Sequence, residues 1–224
     1  MANACMKQFW WILLLVFESS TAQFPSEDDA ERSRGKRFEG IQGNPYLKDE
    51  WSDGKIIFSS GRILNQFKLK FDCVNNKLLL KFSGSTFAAE SKVKEFMIYQ
   101  KEGRRTDSML FRKGFPSFGL GNNETFYRVL SEGKVMLLKL YTKNILEEKQ
   151  MPTSNVQRRF VEQESFFIFR EGVMYEIRKE KGSLPEILTD RSEEIKKFIA
   201  ENQLKMRSEE DFAKVVNKYN KMFP

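Results

Sequence analysis

Between residues 54 and 179 hydrophobic and polar positions alternate in several short runs, the period of two that puts successive side chains on opposite faces of a strand. "GKIIF" (54–58) and "ILNQFKLKFD" (63–72) flank the turn "SSGR" and predict a hairpin. "FDCVNNKLLLKF" (71–82) predicts a second, turning at Asn75 and Asn76, because asparagine tolerates the left-handed backbone that tight turns demand. "VKEFMIYQ" (93–100) predicts a further strand. "TFYRVL" (125–130) with "KVMLLKLYTK" (134–143), and "SFFIFR" (165–170) with "VMYEIRK" (173–179), predict two more hairpins. Short strands joined by tight turns imply an antiparallel β domain over residues 43–180, curled into a barrel or folded into a sandwich.

Past residue 182 the period changes. "SLPE" (183–186) fits a capping box, with Ser183 accepting a backbone N–H and Glu186 reaching back. Asp190 is placed to start a second helix carrying Ile195, Phe198 and Ile199. "SEED" (208–211) starts a third, on which Phe212, Val215, Val216 and Tyr219 fall at i, i+3, i+4 and i+7 on one stripe. The stripe predicts that a tail of two to three helices, residues 183–222, packs on the β domain. The fold class is therefore α+β.

The first residues bear on compartment. Lys7 supplies a positive start, Phe9 to Phe17 is an unbroken apolar run, and Ser20 and Ala22 stand at the small-residue positions of a signal-peptide cleavage site. Residues 1–22 read as a signal peptide, or begin at Met6, cut after Ala22. The apolar run is well short of the roughly 20 residues a spanning helix needs. No later stretch is apolar and long enough to cross, so the mature chain is read as having no transmembrane span. Gln23 stands where a lipid anchor would need cysteine. An exported protein of the periplasm or extracellular space follows. Residues 23–42, charged and poor in apolar side chains, read as a flexible segment, and "GNPYLKDEW" (43–51) begins the ordered part, with Pro45, Tyr46, Leu47 and Trp51 capping one end of the core.

Loss of the leader removes Cys5 and leaves Cys73 alone. One thiol closes no intrachain disulfide and forms no metal-ligand set. Cys73 continues the set Phe67, Leu69 and Phe71 on one face of its strand, so it reads as a small buried hydrophobe, with an intermolecular disulfide as the rival reading. The chain has no histidine. Imidazole metal sites and Ser-His-Asp or Cys-His catalysis fail together on that ground. "GLG" (119–121) lacks the rest of a phosphate-binding motif, and no cofactor is implied. Carboxylates alone support glycoside hydrolysis, yet no spacing nominates a pair, and catalytic residues are therefore none.

Lys and Arg number 38 against 31 Asp and Glu, a net charge of +7. Export argues against nucleic acid, and the basic balance leaves an anionic surface, a glycan or another envelope protein as partner classes, the charges being interspersed as on a solvated surface. The loop "FRKGFPSFGLGNN" (111–123) collects Phe111, Arg112, Phe115 and Phe118 and is the weak candidate for ligand binding; the same aromatics also suit a hydrophobic plug.

"GNPYLKDEW", the hairpin "FYRVLSEGKVMLLKLY" and above all the tail "KGSLPEILTDRSEEIKKFIAENQLKMRSEEDFAKVVNKYN" resemble a family of uncharacterised exported proteins of Bacteroidetes-type bacteria. The resemblance covers most of the mature chain, implies a Gram-negative envelope setting, and carries over no active residue. The sequence thus points to an exported non-enzymatic binding or structural protein of the cell envelope. One alternative is a small-ligand or lipid carrier whose barrel interior is lined by Phe67, Leu69, Leu78, Leu80 and Leu137. The other is a histidine-free carboxylate hydrolase.

Overall fold

The computed structural model describes residues 37–89, 92–102, 105–150 and 155–223. The expected leader and cleavage site, Cys5 and most of the segment 23–42 lie outside these residues. The described strands are β1 (Ile41–Gln42), β2 (Ser52–Phe58), β3 (Ile63–Leu64), β4 (Lys68–Asp72), β5 (Lys77–Phe82), β6 (Ser85–Ala88), β7 (Val93–Glu102), β8 (Arg105–Arg112), β9 (Tyr127–Ser131), β10 (Met136–Gln150), β11 (Asn155–Arg170) and β12 (Val173–Glu176). They are followed by α1 (Ser183–Ile187), a 3-10 turn (Thr189–Arg191), α2 (Ser192–Glu201) and α3 (Glu209–Asn220).

The strands hydrogen-bond in one path, β1-β11-β10-β9-β8-β7-β2-β4-β5-β6, with β12 added to β11 and β3 to β2. The path is open, since β1 and β6 at its ends do not pair, and the expected barrel does not form. Nor do the strands part into two separate sheets, because β2 belongs to both halves. Its Ser52 and Asp53 pair with β4, and its residues from Gly54 to Phe58 pair with β7. At the changeover a Cβ on Gly54 would lie 2.3 Å from both Leu69 Cδ1 and the carbonyl oxygen of Met97. Only glycine permits that approach, at the point where β2 changes partner from β4 to β7. All pairs are antiparallel except β1 with β11, which is parallel.

An aromatic cluster is buried here. Phe71 of β4 lies 5.6 Å from Phe96 and 5.0 Å from Phe111, which stack on each other at 4.7 Å. Leu69, Leu78, Ile98 and Cys73 complete it. Cys73 is buried and its thiol is pushed up to about 12, chiefly by that burial, with Lys143 pulling the other way. The turn after β4 is held by Asp72, whose carboxylate accepts from the N–H groups of Val74 and Asn75. Asn76 sits at φ +50°, the left-handed conformation its sequence position predicts. "GNPYL" runs beside β4: Leu47 N–H donates to Phe71 O and Cys73 N–H to Pro45 O, both at 2.9 Å.

A second cluster joins the helices to the sheet. Leu137, Phe166 and Ile168 meet Leu184, Leu188, Ile195, Ile199, Phe212, Val215, Val216 and Tyr219. The stripe of α3 points inward as its spacing requires. Asn220 binds the backbone of Val135 both ways at 3.0 Å, completing the β9–β10 turn as a strand would. Ser208 caps α3, accepting from Asp211 N–H at 3.2 Å. The capping box at α1 does not form. Ser183 is already the first helical residue, its Oγ accepts from Arg178 N–H, and Glu186 pairs with Arg178. Asp190 likewise caps nothing and instead accepts from Tyr219 Oη.

Candidate functional site

Period two places Leu137, Lys139 and Tyr141 of β10 on the helix-facing side of the sheet, with Phe166, Glu164 and Glu162 of β11 beside them. Lys139 is therefore a cation in a core position, 5% exposed. Its Nζ lies 2.7 Å from Glu164 Oε1 and 2.8 Å from Glu209 Oε2 at the start of α3. The rings of Tyr141 and Phe166 flank it, with centroids at 4.6 and 5.3 Å. Arg128, from β9, reaches Glu209 at 3.3 Å and donates to Tyr141 Oη at 3.0 Å. Burial works against the Lys139 charge, but its hydrogen bonds to Glu164 and Glu209 more than offset this and leave its pKa raised. Both carboxylates face the same ammonium. A hydrolytic carboxylate pair keeps space for substrate or water between its members, whereas here Lys139 fills it. Two cations against two carboxylates make a clamp that docks α3 on the sheet.

Beside the clamp runs an open groove of about 620 Å³, lined by Glu162, Gln163, Glu164, Ser165, Phe166, Glu176, Ile177 and Lys179. It follows the side of β11 away from β10. β1 pairs that side at Arg158 and Arg159, and β12 pairs it from Phe167 on. Between them no described strand covers residues 160–165.

Further out, β10 and β11 continue as a ribbon, with β1 added at Arg158 and Arg159, and stay paired in unbroken register to Gln150 and Asn155. From Asn144 to Lys149 and from Val156 to Arg159 every residue is exposed, with Ile145, Leu146 and Val156 among them. Glu147–Arg158 and Glu148–Arg159 ion pairs at 2.9 and 3.0 Å lie between the apolar positions. Lys143 N–H donates to Cys73 O, and beyond that point β10 has no described strand on its outer edge.

The loop 111–123 does not bring its four candidates to one surface. Phe111 is fully buried in the aromatic cluster. Arg112 pairs with Glu95 at 3.0 Å and Glu132 at 2.6 Å; burial opposes its charge and the two glutamates raise its pKa on balance. Phe115 lies on the sheet face opposite the helices, edge-on to Tyr127 and Phe169. Phe118 packs edge-on to Phe167 and is partly exposed. Arg112 and Phe115 share a second open groove, about 560 Å³, with Lys94, Lys113, Met136 and Phe169. The loop thus covers a third apolar cluster, Leu138, Leu140, Phe167 and Met174, and leaves Leu120 at its tip 93% exposed.

Sequence reasoning missed the ribbon and the clamp. Lys139 did carry a signal, since it shares parity with Leu137 and Tyr141 within the run "VMLLKLY". Compared with known proteins, the chain matches no family model, no curated protein and no solved structure. No helix among the described residues is long and apolar enough to cross a membrane.

Proposed function

We propose that this is an exported, non-enzymatic binding protein of the cell envelope that engages its partner through the β10–β11 ribbon. The observation carrying this reading is that the ribbon exposes Ile145, Leu146 and Val156, and that beyond Lys143 the outer edge of β10 has no described strand beside it. Proteins normally shorten, cover or bulge such an edge, because its free N–H and C=O groups invite another chain. A ribbon several residues longer than its own core requires is therefore kept for contact. The leader pattern and the resemblance of the tail to exported envelope proteins support the setting.

A photo-reactive residue at Leu146 tests the reading in cells. It is expected to give one discrete cross-linked species in the envelope fraction, on a chain beginning at Gln23. A chain retained in the cytoplasm with its leader, or an absence of adduct from the ribbon, contradicts it.

A further inference from the structure

Among the described residues, no strand pairs the stretch of β11 between β1 and β12, which has the form of an unfilled strand position. Phe166 O accepts from Ile177 N–H at 2.8 Å. By the two-residue period of an unbroken ladder, the backbone groups of Glu164 and Glu162 point outward on that same side. The stretch spans about 20 Å at roughly 3.3 Å per residue, and the 620 Å³ groove runs along it. Three carboxylates, Glu162, Glu164 and Glu176, line the groove against one cation, Lys179, although the chain as a whole carries +7. Lys139 and Lys143 reach Glu164 and Glu162 at 2.7 and 3.8 Å from the inner side of the sheet. The acids still form the rim. Charged residues at an edge repel neutral or acidic strands, and the same charges admit a basic one.

We propose that residues 160–165 of β11 accept an added strand from a partner protein, an extended segment with lysine or arginine at the alternate positions facing Glu162 and Glu164. The inference rests on the binding-protein reading above and names a site and a partner chemistry for it. Main-chain bonds to the open edge supply affinity, and the alternate cations supply selectivity.

The test uses fluorescence anisotropy of the full mature chain with three labelled synthetic peptides: alternating Lys-Val, alternating Glu-Val, and Lys-Val with N-methyl groups on alternate residues. The Lys-Val peptide is expected to bind at least about tenfold more tightly than Glu-Val, and N-methylation to abolish binding, since charge is retained while the edge bonds are lost. Glu162→Lys with Glu176→Lys, both outside the clamp, is expected to weaken binding about tenfold or more. Equal binding of Lys-Val and Glu-Val, undiminished binding of the N-methyl peptide, or indifference to the double substitution overturns the proposal. So does a dimer of the protein that the double substitution dissociates, which would make a second copy the occupant. Failure of every peptide with a persisting cross-link at Leu146 removes this site and leaves the binding reading standing. Loss of both removes both.

Discussion

Lys139 Nζ, near the middle of β10, lies 2.8 Å from Glu209 Oε2, at the first turn of a helix seventy residues further along the chain. Removing one partner of a buried ion pair leaves the rest uncompensated and commonly costs about 3–5 kcal/mol, far more than an exposed pair contributes. Lys139→Ala is therefore expected to destabilise the protein by about 3 kcal/mol in urea unfolding. Glu147→Ala, which breaks an exposed pair on the ribbon, is expected to change stability by less than about 1 kcal/mol. Equal effects would show that the clamp does not hold α3.

Gly54 gives a steric prediction. A Cβ there would meet the Met97 carbonyl oxygen, which is backbone and cannot swing aside. Gly54→Ala is expected to cost about 3 kcal/mol or more, beyond the usual effect of a single substitution. Gly61→Ala, at a positive φ with open space around it, is expected to cost about 1 kcal/mol from backbone strain alone. Thermal unfolding of the two variants separates the cases.

Cys73 links stability to alkaline pH. Its thiol lies at about 12 in the folded chain against an ordinary value of 9.0, so the unfolded chain releases the proton first as pH rises. The contribution is complete below pH 9.0 and is lost as pH rises toward about 12. Tyr219 adds to the top of this window, its hydroxyl being raised to about 12 by burial and by its bond to Asp190. Cys73→Ala is expected to flatten the fall in stability between pH 9 and 11, and the native thiol to resist a thiol reagent at pH 8. Rapid stoichiometric labelling of folded protein would contradict the burial.

Leu120 tests whether the loop 111–123 is structural. Its side chain is 93% exposed while Phe115 is buried. Leu120→Asp is expected to leave stability within about 0.5 kcal/mol of the parent, and Phe115→Ala to cost about 3 kcal/mol.

The strands that face a core were legible in the sequence. β4 with β5, β9 with the inner part of β10, and the inner part of β11 with β12 carry apolar side chains that become buried, and Asn75–Asn76 and Glu171–Gly172 mark turns between them. The outer halves of β10 and β11 were not legible. Residues 144–149 and 156–159 have no buried face, so no period of two is impressed on them, and "NILEEKQ" reads like a polar connection. β8 was missed differently: "RTDSMLFR" begins in the basic stretch "KEGRR", and only Met109, Leu110 and Phe111 carry strong apolar signal. The close approach at Gly54 brings together Leu69 and Met97, residues distant in sequence, which local pattern does not encode. The four loop candidates clustered in sequence but divide between two faces of the sheet, because Phe111 ends a strand and Phe115 lies beyond the turn at Gly114, φ +96°.

Hydrogen exchange of the chain from residue 23, with and without a detergent extract of the envelope from the same cells, tests the role of the ribbon most directly. The amides of Ile145, Glu147 and Lys149 and of Glu162 and Glu164, which point away from the β10–β11 ladder, are expected to exchange quickly in the isolated chain and to slow at least about tenfold when the extract is added, while the helices stay unchanged. Protection confined to the loop 111–123 or to the helices, with the ribbon unaltered, would contradict it.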